Sequence, residues 1–205
     1  MAKIMFNDEV NLTQLVLEHI KNMTRRTISQ KTLDFVFNDF RHTYYEATLD
    51  WLDEKETLEQ CFFVDKMKKL PYQIGDVVAI AQSYKTVLEQ MIDAKGGYGE
   101  EENEFYEIYK DTPGWSNKMF VKSDLMPHLI RITDIKIERL QDISDEDCLK
   151  EGIYEVPFCD YSWEDNGVVF GTPREAFAAL IDNVSGRGTW KRNPWVFAYS
   201  FELVK

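Results

Sequence analysis

Basic side chains that lie apart from any acid are the first candidates for chemistry, because such side chains bind phosphates and other anions. Residues 21–31 contain four basic residues and no acid, and residues 187–192 contain three and no acid. Patches this short suit a small pocket for one nucleotide-sized ligand, and an ordinary solvated surface is the alternative. The basic residues are Lys21, Arg25, Arg26 and Lys31 in the first patch and Arg187, Lys191 and Arg192 in the second.

The residue types that bind metals show no spacing typical of a metal site. The three histidines are scattered, and the three cysteines are an odd number without a CxxC pair. We therefore expect no metal site, no cofactor and reduced cysteines. These residues are His19, His42 and His128, and Cys61, Cys148 and Cys159.

The net charge limits the classes of partner. The 205 residues carry 36 acids against 24 lysines and arginines, which gives a formal net charge of −12 at pH 7. We therefore expect no nonspecific binding to duplex DNA at physiological salt. The sequence has no apolar run of the roughly 18–20 residues that a membrane span requires. The first residues also lack the apolar core of a signal peptide, so we expect a cytoplasmic protein with no membrane partner.

The elements that would position the basic residues can be read from periodicity. Apolar residues at helical spacing predict a helix over 11–20, which leads directly into the first basic patch. A buried strand is predicted over 77–81, and an alternating strand over 194–204. Residues 128–140 read as a strand whose alternation slips near residues 133–134, which indicates a β-bulge or a corner.

Three further segments complete the prediction. Ser144 is placed to cap a helix that has three acids in its first turn. Residues 96–111, which are glycine-rich at the start and acidic over 98–111, are predicted to form a mobile surface loop. Residues 118–121 are predicted to be extended chain. Bent strands with a few short helices favour an α+β domain around a small barrel over a parallel βαβ sheet.

Five stretches of the chain resemble motifs of one protein family in the same order. Residues 17–26 resemble the E-G-x-K-T-x-T-R-R opening of ASCH domains, which are part of the PUA-like barrel superfamily. Residues 75–80 resemble the family's G-D strand, and residues 126–133 its M-P and R-I-T strand. Residues 138–152 resemble its E-R-L-Q-D-I-S strand and helix, and residues 193–196 the N-P-W-V of long, phage-associated members.

The resemblance implies a fold. We expect an α+β, PUA-like small β-barrel, closed or nearly closed, with short helices packed around it and a cleft beside one helix. Residues 33–70 and 85–116 match no motif of the family. They are interpreted as insertions in a single domain that spans residues 1–205.

The resemblance also implies an activity. ASCH domains were proposed as RNA-binding modules, and some small bacterial members are amidohydrolases that remove the acetyl group from N4-acetylcytidine. Their catalytic residues match Thr24 as nucleophile, Lys21 as its base and Glu151 as proton shuttle. The chemistry is reasonable in its own right, because a hydroxyl attacks an amide only once a base takes its proton. A lysine can be that base if burial or a neighbouring cation lowers its pKa.

Five residues are candidates for holding the ligand, which would be a nucleoside, a nucleotide or a short RNA. The arginines would bind an anion or an oxyanion, and a tryptophan can stack on a base. The glutamine stands where long family members carry a glutamate. These candidates are Arg25, Arg26, Arg131, Gln82 and Trp195.

Two departures from the family pattern favour binding without turnover. The glycine of the opening motif is His19 or Ile20 here, depending on the alignment, and its loss would narrow the cleft. Gln82 forms hydrogen bonds but cannot exchange a proton. The alternatives to a hydrolase are therefore a non-catalytic RNA- or nucleotide-binding module of phage origin and a protein-interaction role for the insertions.

Overall fold

The computed structural model describes residues 1–41, 52–157, 160–163 and 168–204. His42 and Cys159 lie outside these residues, as do residues 42–51 of the predicted insertion 33–70. The described strands are β1 Ala2–Ile4, β2 Met23–Thr27, β3 Val77–Ile80, β4 Leu129–Arg139, β5 Tyr154–Val156, β6 Asp160–Ser162 and β7 Trp195–Leu203.

Short helices connect the strands. No helix among the described residues is long and apolar enough to cross a membrane. The α-helices are α1 Leu12–Leu17, α2 Gln30–Asp34, α3 Glu54–Glu59, α4 Tyr84–Lys95, α5 Glu100–Tyr109, α6 Asp145–Lys150, α7 Pro173–Ser185 and α8 Thr189–Arg192. Two of them continue as π-helical turns, α2 into Phe35–Phe40 and α3 into Gln60–Val64, and 3-10 turns occupy Pro113–Trp115, Lys118–Phe120, Ser123–Leu125 and Leu140–Asp142.

The long strands β4 and β7 form the centre of a five-stranded mixed sheet with the order β1-β3-β4-β7-β2. They pair antiparallel over nearly their full length, and the register shifts between Ile132 and Asp134. This shift confirms the β-bulge that the slipped alternation predicted. The buried faces of both strands pack into the main core, in which Ile137 and Tyr199 are almost fully buried.

The fold is α+β as predicted, but the sheet is open. The expectation of a closed barrel is therefore wrong. β1 pairs with β3 only, in parallel, and β2 pairs with β7 only. Between these two edges the described residues show no backbone ladder. The Arg26 Nη2 atom instead donates a 2.5 Å hydrogen bond to the carbonyl of Met5, just beyond β1. β1 has only three residues, so its free edge offers few backbone groups that could pair with β2 and close the sheet.

Two local predictions are also wrong. Residues 100–109 form helix α5 rather than a loop, because three acids in its first turn complement the helix dipole. Its Phe105 and Tyr109 rings pack against Tyr84 on α4, with centroids 6.0 and 4.5 Å apart. Residues 118–120 form a 3-10 turn rather than extended chain, and the Asn117 side chain accepts the hydrogen bond of the Met119 amide.

Candidate active site

A small cavity lies between α7, the edge strand β2 and the segment after β1. Its volume is about 50 Å³, and we call it the Thr24 cavity. All three residues predicted to be catalytic line it, together with two of the five predicted ligand residues. Its polar lining consists of Lys21, Thr24, Arg25, Arg26, Glu151, Asn7 and Ser185, and its apolar lining of Met5, Phe6, Leu12, Phe177, Leu180, Ile181 and Val184.

The turn between α1 and β2 positions Lys21 at the wall of this cavity. His19 adopts the left-handed conformation with φ +61°, which reverses the chain after the helix. The amides of Ile20 and Lys21 then both donate to the Leu15 carbonyl at 2.9 Å. The family motif carries a glycine in this region, and the left-handed φ of His19 is the conformation that glycine adopts most easily.

Lys21 and Glu151 form a buried ion pair. The Lys21 Nζ atom donates to the Glu151 carboxylate at 2.6 Å and to the Glu151 carbonyl at 2.7 Å. Both side chains are at least nine-tenths buried. An ammonium has three N–H groups, so these two bonds leave one for the cavity.

Arg25 holds the other oxygen of the Glu151 carboxylate. Its Nη1 atom donates to Glu151 Oε1 at 3.0 Å, and its Nη2 atom donates to Glu138 at 2.6 Å and to Asp147 at 3.5 Å. The guanidinium also lies 5.9 Å from the centre of the Phe177 ring on α7. Arg25 therefore positions Glu151, and its direct contact with a ligand stays a prediction.

The charges of this network act on Lys21 in opposing directions. Burial lowers the pKa of Lys21 because an ammonium loses hydration there, and the Glu151 carboxylate offsets part of that effect. Arg26 and Arg25 lower the Lys21 pKa further. Arg25 is also buried, but the Glu151 and Glu138 carboxylates outweigh that penalty and raise its pKa. Of these two buried cations, Lys21 therefore has the lowered pKa and is the better candidate for a base.

Thr24 presents the available hydroxyl. It lies on β2 opposite Tyr199, is 5% exposed, and lines the cavity. Among the described residues the structure gives its hydroxyl no hydrogen-bond partner. Cys148 is a poorer candidate for a nucleophile, because burial raises the pKa of its thiol to about 12 and little thiolate exists at neutral pH.

Three predicted ligand residues lie away from the Thr24 cavity. Arg131 is exposed on β4 and pairs with Glu202 at 2.8 Å. Gln82 lines a separate polar pocket of about 200 Å³, and its Oε1 atom is buried without a partner among the described residues. Trp195 is 6% exposed, with its Nε1 atom 3.3 Å from Glu54. The structure does not bring these three residues together with Lys21.

The sequence interpretation missed the groups that support the pair. Glu138 was assigned only to a family-like motif and Asp147 only to the three acids that follow Ser144, yet both bind Arg25. Gly152 was read only as the end of a motif. Its φ is +102°, and a Cβ there would lie 3.0 Å from Leu15 Cδ1 and 3.6 Å from Lys21 Cβ. The glycine that follows Glu151 was the sequence signal for this close approach.

Gly152→Ala is expected to destabilise the turn after Glu151 and to press on the Leu15 side chain. The left-handed backbone alone should cost about 1–2 kcal/mol, and the contact with Leu15 adds to it. Gly75→Ala is the matched control, because Gly75 has φ +89° but open space around its Cβ position. In urea denaturation Gly152→Ala should lose more stability than Gly75→Ala. Equal losses would contradict the close packing of Gly152 against Leu15.

Comparison with known protein families, with curated proteins and with solved structures finds no match to this chain. Among the described residues no group of three or more histidine, cysteine, aspartate or glutamate side chains is placed to hold a metal ion. What the site can do therefore has to be argued from its own residues, which are a hydroxyl, a lysine of lowered pKa and a buried carboxylate.

Proposed function

We propose that this protein is an ASCH-like, PUA-like amidohydrolase that removes the acyl group from an N4-acylated cytidine. The observation that carries the proposal is the arrangement of Lys21, Thr24 and Glu151 around one buried cavity. Lys21 and Glu151 are 130 positions apart in the chain, yet their charged atoms lie 2.6 Å apart. The motif order in the sequence supports the same family, and the α+β architecture is compatible with it.

The proposed reaction uses one proton shared by Lys21 and Glu151. With that proton on Glu151, the neutral amine of Lys21 takes the hydroxyl proton of Thr24 as its oxygen attacks the amide carbonyl. Glu151 then protonates the departing N4 amine, the C–N bond breaks, and the acyl group remains on Thr24 as an ester. Water then attacks the ester and gives one proton to the Lys21–Glu151 pair. The pair returns one proton to the departing Thr24 oxygen, so that the carboxylic acid leaves, the Thr24 hydroxyl is restored, and the pair again holds a single proton.

The volume of the cavity indicates which part of the substrate enters it. Pockets that enclose a whole small ligand usually measure about 300–1,000 Å³. At about 50 Å³ the Thr24 cavity has room for a small acyl group and not for a nucleoside. The acyl group would therefore enter between α7 and β2, while the cytosine and ribose stay at the mouth of the cavity, on the side of Arg26.

The rate of hydrolysis should show a bell-shaped dependence on pH, because the Lys21–Glu151 pair is active only while it holds one proton, and neither none nor two. The alkaline limb reports the loss of that proton. Since burial lowers the Lys21 pKa, activity should decline as the pH rises through this lowered pKa, before pH 10.5 is reached. The test is kcat/KM against pH, with circular dichroism to confirm that the protein stays folded. An alkaline limb at or above pH 10.5 would contradict the role of Lys21.

The runner-up function is a nucleotide- or RNA-binding module without catalysis. The specific observation in its favour is that Lys21 and Glu151 already satisfy each other in a closed pair. A reader of this kind would use Arg26 at the cavity mouth and would need no hydroxyl at Thr24.

The experiment that separates the two functions measures hydrolysis and binding on the same sample. Wild-type protein is incubated with N4-acetylcytidine, and the release of cytidine is followed by chromatography, while cytidine binding is followed by calorimetry. Turnover that is lost in Lys21→Ala supports the hydrolase. Binding without turnover supports the reader, and the absence of both contradicts the proposed function.

A further inference from the structure

A lysine-rich groove lies outside every motif that the sequence resemblance covers. Its volume is about 440 Å³, and the segment after the π-helical turn Gln60–Val64 supplies most of its lining. Three lysines and two phenylalanines form its main walls, and we call it the lysine groove. These residues are Phe62, Phe63, Lys66, Lys68 and Lys69.

The lysine groove adjoins the candidate active site through a second depression. This depression, of about 220 Å³, shares Phe62, Lys68 and Lys69 with the groove. The same depression is also lined by Arg26, which lines the Thr24 cavity. The groove, the depression and Arg26 thus form a row of adjoining surfaces from Lys66 to the wall of the Thr24 cavity, which we call the path.

The charge of this path is opposite to that of the whole chain. None of the described residues that line the groove or the connecting depression is acidic, although the chain carries a net charge of −12. Lys66 and Lys69 are exposed, and Lys68 lies 4.0 Å from the centre of the Phe35 ring. The path therefore offers solvent-accessible cations beside apolar and aromatic side chains.

Cations beside aromatic side chains match a single-stranded nucleic acid better than other anions. Lysines neutralise the phosphates, and aromatic side chains stack on the bases. Phe63 is half-buried and has a surface for such stacking. The carboxylate side chains of an acidic peptide have no ring that could stack there. A single strand is favoured over a duplex, because a paired base must first be unstacked and flipped out before its N4 group can reach a cavity.

We propose that the lysine groove binds the backbone of a single-stranded RNA whose acylated cytidine reaches the Thr24 cavity. The preferred substrate is then an oligonucleotide and not the free nucleoside. The identity of this substrate rests on the proposed function, whereas the binding of RNA by the groove does not.

The test compares charge reversals inside and outside the groove. Lys66→Glu combined with Lys69→Glu changes the groove, and Lys85→Glu combined with Lys122→Glu makes the same charge change at exposed lysines elsewhere. Fluorescence anisotropy measures the binding of a single-stranded RNA of about nine nucleotides. The groove variant should bind at least about tenfold more weakly, and its slope of log affinity against log salt should fall by about 1.4.

The controls distinguish the two proposals. Hydrolysis of free N4-acetylcytidine should be unchanged in the groove variant. Equal losses of RNA binding in both charge-reversed proteins, no loss in the groove variant, or equally tight binding of a polyglutamate peptide would overturn the groove as an RNA site. If RNA binding depends on the groove but N4-acetylcytidine is never hydrolysed, the groove proposal stands and the proposed hydrolase function fails.

Discussion

Glu151→Gln is expected to lower the free energy of unfolding by about 3–5 kcal/mol, the usual cost of breaking a buried ion pair. Glutamine keeps the shape of the side chain but removes the charge that Lys21 and Arg25 share. Lys21 would then be a buried cation without a counterion, while Arg25 would retain Glu138 and Asp147. Urea denaturation followed by circular dichroism measures the loss.

A double-mutant cycle isolates the pair itself. Lys21→Met combined with Glu151→Gln should lose less stability than the two single variants together, with a coupling energy of about 1–3 kcal/mol. The matched control is Lys110 with Glu107, which also lie 2.6 Å apart but are partly exposed to solvent. Breaking that pair should change the stability far less, because solvent screens the two charges. Additive losses for Lys21 and Glu151 would contradict the coupling.

Thr24→Val should reduce kcat/KM for N4-acetylcytidine by at least about 1,000-fold, because valine has the shape of threonine but no nucleophile. The fold should persist, since the Thr24 hydroxyl has no hydrogen bond to a described residue that valine would break. Steady-state kinetics and a denaturation curve on the same preparation measure both effects.

Thr133→Val is the control for this substitution. Thr133 is an exposed strand residue on β4, so its replacement should leave both turnover and stability nearly unchanged. If Thr24→Val turns over at the wild-type rate, Thr24 is not the nucleophile. The next candidate would be a water molecule that attacks the amide directly.

Local signals in the sequence predicted the elements that carry the site. The slipped alternation near Thr133 gave the bulge in β4, and Ser144 caps α6 as expected, so Glu151 is placed at the end of a correctly predicted helix. The meeting of Lys21, Thr24 and Glu151 followed only from the family resemblance. No periodicity relates Lys21 and Glu151 at a separation of 130 positions.

The remaining features depend on long-range packing that a single sequence does not display. Helix α5 forms where a loop was expected, because its Phe105 and Tyr109 rings pack against Tyr84 on the neighbouring helix. Arg131 and Gln82 looked like ligand residues by type, but β4 and the chain after β3 place them away from the Thr24 cavity. The lysine groove could not be predicted either. Three lysines within residues 66–69 are typical of ordinary solvated surface, and only the fold places Arg26 beside them.

The most direct test of the central claim looks for the acyl group on Thr24. Wild-type protein is mixed with a substoichiometric amount of N4-acetylcytidine, quenched in acid at increasing times, and digested for mass spectrometry. The account predicts a transient acetyl group on the peptide that contains Thr24, appearing together with free cytidine and absent from Thr24→Val. Cytidine and acetate that appear with no acetyl group on the protein at any time would contradict it.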